Sequence, residues 1–137
     1  MKYFTIAEMT ASTTAKAKGI DNMPLPEHKA NLTTLINKVL DPLREMYGKP
    51  IIVNSGYRSP ILNKAVGGVA TSQHCKGMAA DIVPRDKKDM KRLWELALQL
   101  PDFDQLINEQ PDQKGVPSWI HVSYNADRNR KQILTIK

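Results

Sequence analysis

The sequence predicts an α+β fold in which N-terminal helices pack on a small, mainly antiparallel sheet. Two observations carry that expectation. Across residues 27–47, apolar side chains recur at three and four, the period of a helix with one buried face. Beyond Gly48 the pattern changes to short β-branched or alternating runs at 51–55, 79–83, 103–109 and 119–124, separated by segments rich in Gly, Pro and Asp.

Thr5-Ile6-Ala7-Glu8 has the spacing of a capping box, in which threonine hydroxyl and glutamate side chain each satisfy a free amide, so a short first helix follows. Residues 12–18 read as a second short helix stopped at Gly19, and 21–26 as a turn-rich connection. The main core helix places Leu32, Leu35, Ile36, Val39, Leu40, Leu43, Met46 and Tyr47 on its buried face. Pro26 suits its first turn and Gly48 its C-terminal cap; the phase persists through Asp41-Pro42, which predicts a kink there rather than a break. His28 precedes the periodic face and is expected to be solvated rather than a ligand.

Ile51-Ile52-Val53-Asn54-Ser55 reads as a strand running into the turn Gly56-Tyr57-Arg58-Ser59-Pro60, with Ser59 capping a short helix that begins at Pro60. Residues 79–83 form a strand with Asp81 on the face opposite Ala80 and Ile82. Asp86 caps a helix over 87–100 whose apolar face holds Met90, Leu93, Trp94, Ala97 and Leu98. Its lysines and arginine read as a solvated face. Residues 103–109 and 119–124 read as antiparallel strands joined by the loop 110–118. If Glu109 stands opposite Trp119, Ile107 meets His121, and strand parity puts Glu109 and His121 on one sheet face as diagonal neighbours. That is the geometry a general base needs. The tail 125–136 reads as a basic turn and a short final strand, with no chemistry assigned.

At 137 residues the chain suits one domain, and neither a repeat nor a composition shift argues for a linker. Hydrophobic residues at 41% and charged residues at 25% place it with globular proteins rather than disordered ones. No apolar run is long enough to span a bilayer or to follow Lys2 as a secretory signal, so synthesis in the cytoplasm without a signal peptide is expected. The net charge of +6 favours an anionic partner, which nucleic acid, membrane surface and bacterial wall would all satisfy. A specific nucleic-acid role lacks a reading motif and an interleaved aromatic platform. The single cysteine, Cys75, excludes an intrachain disulfide, and its place directly beside His74 does not suit a thiol whose base must face it from another element.

The segment from Val69 to Val83 is where metal-competent residues are densest. His74 and Asp81 read as two ligands of a catalytic zinc, which takes imidazole nitrogen and carboxylate oxygen and needs a third protein ligand beside water. Gly77 would turn the backbone after the histidine, and Ala79 would leave room for a metal on the strand face. A loop histidine and a strand-end carboxylate with no metal between them account for the same spacing.

The full pattern Ser72-x-His74-x2-Gly77-x-Ala79-x-Asp81, followed by Trp119-Ile120-His121-Val122-Ser123-Tyr124, resembles the zinc D-alanyl-D-alanine carboxypeptidase family of peptidoglycan peptidases, whose fold is shared with the Hedgehog signalling domain. Ser55-Gly56-Tyr57-Arg58-Ser59-Pro60, Val66-Gly67-Gly68 and Phe103-Asp104-Gln105-Leu106-Ile107 extend the likeness over most of the chain. The resemblance implies one zinc ion held by His74, Asp81 and His121, with His28 set apart in its helix turn. It also implies that Arg58 faces substrate and stabilises charge. Ser72 would orient substrate or ligand, or simply form the turn. In the dipeptidase branch the catalytic glutamate lies three residues before the last histidine, where this chain has Ser118; Glu109 is the nearest substitute, ending the preceding strand as the corresponding glutamate does in the Hedgehog branch.

The function so implied is a monomeric zinc metallopeptidase that hydrolyses peptidoglycan stem peptides or cross-bridges in the bacterial cell wall. Metal-activated water would attack and Glu109 would act as base. Carboxypeptidase and endopeptidase action both remain open, and a bacteriophage or prophage endolysin fits the expected lack of an export signal. The rival reading is a non-catalytic zinc-containing module that binds cell wall or a protein partner.

Overall fold

The computed structural model describes residues 1–137. Its fold is α+β, as the sequence predicts. Helices α1 (Ile6–Thr10) and α2 (Thr13–Lys18) are each capped by a hydroxyl: Thr5 Oγ1 accepts from the Glu8 amide at 3.2 Å and Ser12 Oγ from the Ala15 amide at 3.1 Å. Only half of the expected capping box forms, because the Glu8 carboxylate takes the Thr5 hydroxyl at 3.4 Å.

The main helix is α3 (Pro26–Leu35), one π-helical turn (Ile36–Leu40) and α4 (Asp41–Tyr47) in succession. In the wide turn the Asp41 amide donates to the Ile36 carbonyl. The π turn gives the Pro42 ring room where an α turn would press it against the Lys38 carbonyl. The expected kink thus takes the form of a local widening, and the helix continues through it. Leu32, Leu35, Ile36, Val39, Leu40, Leu43 and Tyr47 are buried as their spacing indicates. Met46 is instead 37% exposed, since the pair Leu43 and Tyr47 occupies the inward side of the last turns. His28 is another correction: its side chain is only 19% exposed and its ring lies 5.7 Å from that of Tyr57.

Strands β1 (Ile51–Ser55), β2 (Ala79–Pro84), β3 (Gln105–Glu109), β4 (Trp119–Ser123) and β5 (Gln132–Ile136) form one sheet in the order β1-β2-β4-β3-β5. All neighbours are antiparallel except β3 and β5. Side chains alternate across a strand, so one face presents Ala80, Ile82, Leu106, Ile120 and Val122 to the core. The other face carries Asp81, Ile107, Glu109 and His121. The third strand begins at 105 rather than 103, because Phe103 turns into the core and Asp104 into a buried polar network.

Helix α5 (Pro60–Ala65) follows β1, with Ser59 as its cap. After β2, a 3₁₀ turn (Lys87–Asp89) leads into α6 (Met90–Ala97). The expected helix over 87–100 is therefore shorter and in two parts. Leu98 is 41% exposed, and Leu100, beyond the helix end, fills the core. No helix is long and apolar enough to cross a membrane.

Candidate metal centre

His74 sits in a 3₁₀ turn, Gln73–Lys76, between β1 and β2. Ser72 opens that turn by accepting from the His74 amide at 3.2 Å, and Gly77 closes it at φ 72°. The His74 carbonyl accepts from the Arg58 amide at 3.1 Å, tying the turn to the end of β1. His74 Nδ1 lies 2.7 Å from the Gly56 carbonyl, which can only accept, so Nδ1 carries a proton and Nε2 is the nitrogen left to face Asp81 or a metal. Gly56 also runs close against the end of α1: a Cβ there would lie 2.2 Å from the Met9 carbonyl oxygen, which accepts from the Tyr57 amide at 2.7 Å.

Asp81 and His121 are direct partners across β2 and β4. Asp81 Oδ1 lies 3.0 Å from His121 Nδ1 and 3.4 Å from His74 Nε2. The two imidazole rings meet edge to face, their centroids 5.1 Å apart. Burial pushes the Asp81 carboxyl up, but hydrogen bonds from His121 and His74 outweigh it and hold the group well below the usual carboxylate range. The ligand atoms of His74, Asp81 and His121 lie within 4.8 Å of one another and could hold a metal ion. Two imidazole nitrogens and one carboxylate oxygen are a donor set that suits zinc, and a bound cation would replace the protons the nitrogens otherwise share with Asp81.

The three side chains open into a cavity of about 410 Å³ whose wall includes Glu109, Arg58, Ser72 and Arg130. Glu109 pairs with Trp119 and Ile107 with His121, the register anticipated from the sequence, so Glu109 is the diagonal neighbour of His121. Its carboxyl is pushed up by burial and by the charge of Asp81. A carboxylate with a raised pKa is a better proton acceptor. Ser118 points elsewhere, its hydroxyl donating to the Gln110 carbonyl at 2.6 Å.

Arg58 Nη2 approaches Ser72 Oγ at 3.4 Å, and Arg58 Nε is buried without a partner. The Ser72 oxygen thus serves both the histidine turn and the arginine. Cys75 is half-buried, and burial pushes its thiol up, away from the thiolate a nucleophile requires. Arg130 is not legible in the sequence: it comes from a tail that carries no motif, and no spacing rule links it to residues on β3 and β4.

Residues 2–123 match the family model described as Peptidase M15. The zinc D-Ala-D-Ala carboxypeptidase of Streptomyces albus G is 34% identical over 79 residues, a stretch covering 58% of this chain and 30% of that protein. The chain therefore spans less than a third of that relative's length. The family match runs through β1, β2, β3 and β4 and stops short of β5, and on that extent this chain belongs to the Peptidase M15 family.

Proposed function

We infer that this protein is a zinc metallopeptidase acting on peptidoglycan stem peptides or cross-bridges. The observation that carries the reading is the convergence of His74 Nε2, His121 Nδ1 and Asp81 Oδ1 in a cavity that also presents Glu109. Membership of a peptidase family and likeness to a protein named a zinc D-Ala-D-Ala carboxypeptidase support it. His74, Asp81 and His121 would hold one ion, leaving a position open to solvent. Zinc bound there supplies Lewis acidity, polarising a peptide carbonyl and making water acidic near neutral pH.

Glu109 accepts the proton of the attacking water as its oxygen bonds to the carbonyl carbon, then passes that proton to the amine nitrogen as the C–N bond breaks. Arg58, with Nε unpaired and no acidic partner, balances negative charge on the carbonyl oxygen or holds a substrate carboxylate. Ser72 keeps both Arg58 and the His74 turn in place. Residues 1–137 are read as one catalytic domain.

The test is release of free amino groups and D-alanine from purified peptidoglycan by zinc-loaded protein, chelated protein and Glu109→Ala. Activity should need the metal and fall about 10²- to 10⁴-fold in the variant, with zinc content unchanged. Product masses identify the bond and separate carboxypeptidase from endopeptidase action. Stoichiometric zinc without cleavage of any wall type would instead favour a binding module.

A further inference from the structure

Arg130 lies beyond the family match, yet it forms part of the wall of the cavity that holds His121 and Glu109. The parallel return of β5 puts it there. Gln132 pairs with Gln105, so the residues just before β5 stand beside the start of β3, where Asp104 is 1% exposed. Asp104 Oδ1 accepts from the Arg130 amide at 3.0 Å and from Arg130 Nε at 2.8 Å. Oδ2 accepts from Arg130 Nη2 at 2.9 Å and from the Gln73 amide nitrogen at 2.7 Å.

These bonds saturate the carboxylate and hold the guanidinium plane. An arginine has a fork of five N–H donors, and the side-chain pairing with Asp104 engages only Nε and one N–H of Nη2. The Arg130 side chain remains 48% exposed, so its other donors have open space to work in. Asp81 in the same cavity is occupied by the two histidines. In sheet order Arg58 follows β1 at one edge and Arg130 precedes β5 at the other, with the strands bearing Asp81 and His121 between them.

Resting on the peptidase reading, we propose that Arg130 binds a carboxylate of the peptide substrate on the β3 side of the cleft, across the metal cluster from Arg58. A planar fork clamped by a buried carboxylate is preorganised for a planar anion, and little freedom is left to lose on binding. A lysine-type stem peptide offers that chemistry in two places, the C-terminal carboxylate and the α-carboxylate of γ-linked D-glutamate.

The test uses the pentapeptide L-Ala-γ-D-Glu-L-Lys-D-Ala-D-Ala, its C-terminal amide and its D-isoglutamine form. Calorimetric binding to zinc-loaded Glu109→Ala reads affinity without turnover, and amine release by the otherwise native enzyme gives kcat and KM. Each measurement is repeated with Arg130→Lys and Arg130→Ala. The lysine variant keeps a cation on Asp104 but loses the rest of the fork, so it separates recognition from folding; thermal melting confirms that it is folded.

One of the two amidations should weaken binding about tenfold and so name the carboxylate. Arg130→Lys should bind the free acid as weakly as that amide, with KM raised and kcat within about threefold. Unchanged binding of the free acid by both variants, or no loss on either amidation, would overturn the assignment. Arg130-dependent discrimination without cleavage of any peptide would leave the assignment standing and remove the peptidase reading instead.

Discussion

Gly77 connects the His74 turn to the strand of Asp81 at φ 72°, and a Cβ there would lie 2.3 Å from the His28 carbonyl oxygen. Gly48 has a similar φ of 78° with nothing within 4 Å of such an atom. Gly48→Ala should therefore cost only the left-handed backbone penalty of about 1 kcal/mol, whereas Gly77→Ala should cost about 3 kcal/mol in urea denaturation because backbone must also move. The need for a turn at Gly77 was legible in the sequence; the collision with His28 was not, since it depends on a residue far back in the chain. Asp104 supplies the pH dependence at this scale. The Arg130 side chain holds its carboxyl down at about 2, against burial, from an ordinary 3.8. A carboxylate depressed in the folded state contributes fully above its unfolded value and loses its contribution as pH falls through its folded one. Stability should thus decline from about pH 4 toward pH 2, and Asp104→Asn should remove about 1–2 kcal/mol of that decline after allowance for the half-exposed Arg130. Urea titrations of both proteins across that range check it.

Among the elements, the 3₁₀ turn of His74 is opened by one hydroxyl. Ser72→Ala removes its cap and the contact of Arg58, so zinc affinity in chelator competition should fall about 10- to 100-fold, as for other groups that orient ligands. The caps at Thr5 and Ser59 were readable because a hydroxyl and the amide it caps lie within a few residues, whereas Ser12, expected inside α2, caps it instead. The π turn before Pro42 was not, because apolar spacing is nearly the same with one residue added. Strand β5 shows the opposite balance of local and distant effects. Ile133 and Ile136 remain exposed, so the strand adds little to the core. Deletion of residues 125–137 should nonetheless destabilise the fold by about 3 kcal/mol in calorimetry, because it leaves the buried Asp104 carboxylate without Arg130 and bares the edge of β3.

For the molecule as a whole, a cation at the cluster would join the His74 turn, β2 and β4, which the unfolded chain does not bring together. Free zinc at a hundred times its Kd should add about 2.7 kcal/mol to stability, so a chelator should lower Tm in the native protein and leave Asp81→Ala unmoved. The sequence by itself determined the α+β class; strand parity put Glu109 diagonal to His121 on the condition that Glu109 faces Trp119, and His74, Asp81 and His121 were grouped as candidates through the family likeness. Helix period, strand parity and motif spacing act over a few residues or between adjacent strands, and the family likeness linked the distant pieces. Tertiary structure alone decided the partial burial of His28, the parallel return of β5, and the approach of Arg130 to Asp104 and Gln73. Those contacts are made by the path of the chain through space, because hydrogen bonding and burial depend on which surfaces meet after the sheet has closed, and no local period encodes that.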